Sequence, residues 1–151
     1  MTSIGDLLGD QADKLAQDNI NVGDIHYLKL DKTNGITPKN GDKSRDKFFI
    51  VLGFDSEGNI LGGVVINSNI NYNLSSEITD YYLPVKVEQF PFLKYNSFVN
   101  CSKLIIAKRE KFNKDTYRGT ISDAEMFELI VDTVKESPTV NKKQLGEFGI
   151  I

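Results

Sequence analysis

The chain has 151 residues, 40% apolar and 26% charged, with a formal net charge of -3, which suits one globular core and excludes a uniformly basic nucleic-acid binder while leaving room for a local basic groove. A single cysteine and a single histidine exclude an intramolecular disulfide and a zinc-type ligand set, and no apolar run reaches the length needed to span a bilayer. These limits predict a cytoplasmic setting, with no membrane, no metal and no cofactor.

Ile4, Leu7, Leu8, Ala12 and Leu15 recur at helical spacing and predict a short amphipathic helix over residues 3–17, weakened by Gly5 and Gly9. Residues 1–21 then form an N-terminal extension to a domain over 22–137. "VGDIHYLKL" alternates as a strand does, and "DKTNGITPKNGDKSRD" after it, with two Gly, two Asn and a Pro, reads as a long loop. "KFFIVLGF" is a buried strand, "DSEGN" a turn, and "ILGGVVI" the second arm of a hairpin, where Gly62 and Gly63 permit a bulge or sharp coiling. "ITDYYLPVKV", "SFVNC" and "KLIIAKR" supply three more short strands, the first held to an edge by Pro84. Five strands of this length predict a small β-barrel.

Ser122 and Glu125 have capping-box spacing, and Phe127, Ile130, Val131 and Val134 follow at i, i+3, i+4 and i+7, so an amphipathic helix runs until Ser137-Pro138 stops it. Residues 138–151 form a tail whose Leu145, Phe148, Ile150 and Ile151 are suited to dock on the domain or on a partner.

This order of strand, loop, hairpin, strands and capped helix resembles the MazF/PemK toxin family over about Val22 to Lys135. "VGDIHYLKL" is similar to that family's opening strand, "KFFIVLGF" to its second, and "GGVVINSN" to its third. "LKYNSFVNCSKLIIAKREKF" is similar to its closing strands, and "YRGTISDAEMFELIVDTV" to its entry into the last helix. The resemblance implies an SH3-like barrel with a C-terminal helix and a short N-terminal helix. It implies a dimeric, metal-independent endoribonuclease that cleaves single-stranded RNA and is restrained by an antitoxin. Attack of a ribose 2′-OH on the adjacent phosphate needs a base, an acid and positive or hydrogen-bonding groups around the phosphorane. On the resemblance, Arg45, Lys47 and Ser68 fill the catalytic positions, and Asp42, Asn67, Ser102 and Lys103 line the substrate. Lys47-Phe48 stands where the family has Arg-Pro, and Ser102-Lys103 where it has Asp-Gln, departures that motivate an alternative: a catalytically degenerate barrel that binds protein or nucleic acid.

Further candidates carry less. His26 shares a strand face with Leu28 and Leu30 and reads as a buried, hydrogen-bonded histidine before it reads as a proton shuttle or as partner to a Cys101 nucleophile. Lys103, Lys108, Arg109, Lys111, Lys114 and Arg118 make one segment locally basic, with Phe112 and Tyr117 as candidate stacking faces, though an ordinary exposed strand and turn explains them as well.

Overall fold

In the strand formed by Ser44–Phe54, Phe49, Ile50, Val51 and Leu52 are all buried; Phe49 and Val51 join one apolar cluster, Ile50 and Leu52 another. Successive side chains of a strand point to opposite faces, so a sheet covered on both faces requires an unbroken apolar run. That is the physical content of "FFIVL". The computed structural model describes residues 4–38 and 41–151; Ser3 of the expected N-terminal helix and Lys39 and Asn40 of the expected loop lie outside the described residues.

The elements are α1 (Ile4–Asp18), β1 (Asp24–Asp31), β2 (Ser44–Phe54), β3 (Ile60–Asn67), α2 (Ser76–Thr79), β4 (Tyr82–Val85), β5 (Ser97–Lys108), β6 (Tyr117–Thr120), α3 (Ala124–Glu136) and α4 (Lys142–Glu147). The six strands form one antiparallel sheet in the order β4-β5-β3-β2-β1-β6. The fold is therefore mixed α/β. β4 and β6, four residues each, stand at its two ends. They do not pair with each other, so the sheet is open where a closed body of five strands was expected. Pro84 falls on β4, an edge strand where its missing N–H removes no interior ladder bond. Among the described residues no helix is long and apolar enough to cross a membrane.

Several elements differ from the sequence reading, each for a local reason. β2 begins at Ser44, three residues before the expected start at Lys47, so Arg45 joins Lys47 in the strand and the two pair with Leu30 and Leu28 of β1; the ladder with β1 draws the charged end of the expected loop into the sheet. The expected strands "SFVNC" and "KLIIAKR" are one strand, β5, which takes in Ser102 between them where its register with β3 shifts between Gly63 and Val65. Asp123, not Ser122, caps α3, its carboxylate accepting from the backbone N–H groups of Glu125 and Met126 at 3.0 and 3.3 Å.

One face of the sheet packs against Ile130 and Val134 of α3 and against Val140, Leu145, Phe148 and Ile150 of the tail. The tail thus completes this chain's own core. Its seat is made by glycine: a Cβ on Gly62 would lie 2.9 Å from the Phe148 ring, and one on Gly53 2.1 Å from the Phe148 carbonyl oxygen, which accepts from Phe54 N at 3.0 Å. On the opposite face Leu28, Leu30, Phe49, Val51, Leu61, Val65, Ile105 and Ala107 are covered by Ile20, Ile36 and Phe112.

Candidate functional site

Antiparallel partners share a face, so the pairing of Phe48 with Ile66 places the next residues, Lys47 and Asn67, side by side across β2 and β3. Lys47 Nζ donates to Asn67 Oδ1 at 2.6 Å. The Asn67 amide stands near the Tyr82 hydroxyl and draws the phenol's pKa down, but burial is the larger effect and leaves it above its usual value. Lys47, Asn67 and Tyr82 are each half-buried. They lie beyond Phe49 and Val65 on the face opposite α3, and Arg45, two residues from Lys47, is on that face too.

This arrangement unites Lys47 with Asn67 and aligns Arg45 with them. The remaining expected site residues stand apart from the trio. Ser68 follows Asn67 but is exposed beyond the end of β3, its hydroxyl accepting from Asn69 Nδ2 at 3.5 Å. Asp42 is exposed in the turn before β2. Ser102 is buried, its hydroxyl donating to Asn100 Oδ1 at 2.5 Å, while Lys103 beside it is exposed. The Ser102 backbone carbonyl accepts from Thr139 Oγ1 at 2.6 Å, which ties this position to the tail.

His26 is 3% exposed on the same face as Lys47, at the β1–β6 edge. Its Nδ1 lies 2.8 Å from Thr116 Oγ1 and its ring meets Phe112 edge-on at 4.9 Å and Tyr117 at 5.6 Å. Desolvation lowers its pKa to about 4, against an opposing pull from Asp24 and with a smaller push from Arg118. The imidazole is neutral at physiological pH. Cys101 is fully buried among the residues packed on α3, on the other side of the sheet, and burial pushes its thiol up to about 12. The sheet separates Cys101 from His26, so no nucleophile pair forms.

Two residues of the basic segment have structural roles. Arg109 donates to the carbonyls of Gly58 and Gln17 and stands 5.4 Å over the Phe54 ring; Lys111 Nζ donates to the Lys29 carbonyl at 2.9 Å. Phe112 is fully buried, which removes it as a stacking face, whereas Tyr117 is 49% exposed. Among the described residues no group of His, Cys, Asp and Glu could hold a metal ion.

No family model matches the chain and no curated protein matches it. Tyr82 carries no signal in the sequence, because its approach to Asn67 crosses β5 and leaves no local pattern. The alternation Asp24, His26, Leu28, Leu30 was a usable signal for the second polar cluster, since it places two ionisable groups on one buried strand face.

Proposed function

We propose that the chain binds single-stranded RNA through the face that carries Arg45, Lys47 and Asn67, as a small β protein of the SH3-like PemK/MazF type that holds the strand without cutting it. The hydrogen bond from Lys47 Nζ to Asn67 Oδ1, with Tyr82 near the same amide, carries this reading. Two cationic side chains suit phosphate oxygens, the amide suits sugar or base edges, and the half-buried phenol offers a ring for stacking.

The same bond favours holding over cutting. Transesterification at phosphate needs groups that take and give a proton. Beside Lys47 stands an amide, which does neither, and the phenol next to it keeps its proton. Lys47 also lacks the planar fork with which an arginine grips two phosphate oxygens at once. Toxin-type cleavage, with a homodimer and an antitoxin partner, is the second reading. It is favoured by one observation: the Lys47 ammonium bonds Asn67, the residue that directly precedes Ser68 in the chain.

The test is to incubate the purified chain with 5′-labelled single-stranded RNA in EDTA and follow both mobility and strand integrity. The expected result is a retarded, intact strand, with retardation weakened in Lys47→Met. Scission that disappears in Ser68→Ala would replace binding by the second reading, and an unretarded, intact strand would remove both.

A further inference from the structure

At the β1–β6 edge the end of α1 stands against the sheet and leaves a cavity of about 340 Å3. His26, 3% exposed, lines it, and its Nε2 is buried without a hydrogen-bond partner. Buried polar atoms are overwhelmingly paired, so an unpartnered imidazole nitrogen at a cavity is a place where a ligand gains a bond. The tautomer follows from the neighbours. Thr116 Oγ1 donates to the Asn113 carbonyl at 3.0 Å, which leaves His26 Nδ1–H as donor to Thr116 Oγ1 at 2.8 Å and puts the lone pair on Nε2.

Asp24, 6% exposed, lines the same cavity. Its carboxylate accepts from Asn21 N at 2.8 Å and from Thr120 Oγ1 at 2.7 Å. Because Thr120 gives its proton to Asp24, the Tyr117 hydroxyl is the donor in the 2.6 Å contact with Thr120 Oγ1, and its own oxygen keeps lone pairs to accept with. The residues lining the cavity therefore bring a lone pair on His26, further lone pairs on Asp24 and an acceptor on Tyr117. A carboxylate or phosphate would be repelled there, so the occupant's inner end donates hydrogen bonds. Ala16 and Ile20 supply apolar wall, the Tyr117 ring a half-exposed flank, and Lys114 the cation among the lining residues.

We propose that this cavity is a binding site for a nucleobase rich in N–H donors, guanine before the others, with its phosphate toward Lys114. Guanine places N1–H and N2–H2 side by side on one edge, which answers adjacent acceptors on His26 and Asp24, and the amides of Asn19 and Asn113 suit its carbonyl. Uracil, with one N–H between two carbonyls, meets the same acceptors badly. The volume is in the range of small-molecule sites. The base has two sources, a free nucleotide or an unpaired residue of an RNA strand, and the site stands independently of the Lys47–Asn67 cluster.

The chain has one histidine, so 15N-histidine labelling of the intact protein reports this ring alone. Titration with GMP is expected to move the Nε2 resonance, and UMP at the same concentration to leave it in place. Thr120→Val, which removes the hydroxyl that donates to Asp24, should weaken GMP binding about tenfold, while Asp123→Ala, at the α3 cap, leaves it unchanged. If free GMP is silent but a short unpaired guanine-containing oligonucleotide moves the resonance where an all-uridine one does not, the base comes from a strand and the site stands. Equal responses to GMP and UMP, or no response to any of these probes, overturns it.

Discussion

Lys47 and His26 occupy one face of one sheet and are held in opposite ways. Lys47 lies where the face runs out past Phe49 toward solvent, half-buried, with its ammonium on the Asn67 amide. His26 lies where the face is closed by Phe112, with a hydroxyl on Nδ1 and nothing on Nε2. A charge persists where water still reaches it; under an aromatic cover only the neutral form is tolerated. The first place suits a phosphate backbone and the second a neutral, hydrogen-bonding ring, so one sheet face presents two chemistries without a change of backbone.

The strongest way to break this contrast is to remove the cover. Phe112→Ala should cost about 3–5 kcal/mol in urea denaturation through loss of packing against Phe49 and the cavity left behind. In the fraction that folds, the His26 pKa, followed by NMR, should rise toward its ordinary value. A variant that keeps it near 4 would show that Phe112 is not what desolvates the ring.

The next effect needs no mutation. His26 titrates at about 4 when folded and near 6.5 when unfolded, so between those values the unfolded chain binds more protons and stability rises with pH. Acidification from pH 6.5 to 4 should therefore remove up to about 3 kcal/mol attributable to this one group. The part of the slope that disappears in His26→Gln measures it; carboxylates supply the remainder. An identical slope in both proteins would mean that the ring is not held neutral.

Smaller effects separate the sites from the scaffold. Asp123→Ala should destabilise the chain by about 1 kcal/mol through loss of the α3 cap and leave RNA retardation and the His26 resonances as they were. Lys47→Met should change stability by less than about 0.5 kcal/mol, yet lower the salt dependence of RNA binding by about 0.7 in logarithmic slope, the contribution of one phosphate contact on a single strand. A large stability loss in Lys47→Met would turn the Lys47–Asn67 bond into a structural one.

Much of the fold was legible in the sequence because it is written in local periodicity. The unbroken "FFIVL" announces a strand buried on both faces, Phe127, Ile130, Val131 and Val134 mark the helix that covers one of them, and Pro84 marks an edge. β6 was not legible: Tyr117–Thr120 has four residues, none buried, and exists because it pairs with β1. α4 was hidden in the same way, its six residues being capped by Asn141 and held by Leu145 and Phe148 in a core built from distant strands.

For the candidate sites, the sequence by itself determined the residue types and the face each occupies, since strand alternation carries that information from one residue to the next. It put Arg45 and Lys47 near the start of an apolar strand and set Asp24 and His26 in phase with Leu28 and Leu30. Only the tertiary structure decided which of them meet. Lys47 finds Asn67 through the β2–β3 register, Asn67 finds Tyr82 across β5, and His26 is fixed by Thr116, 90 positions away, under Phe112. Closing the chain over such distances depends on the whole core forming at once, so neither the open ends of the sheet nor the unpartnered imidazole nitrogen could be read from any short stretch.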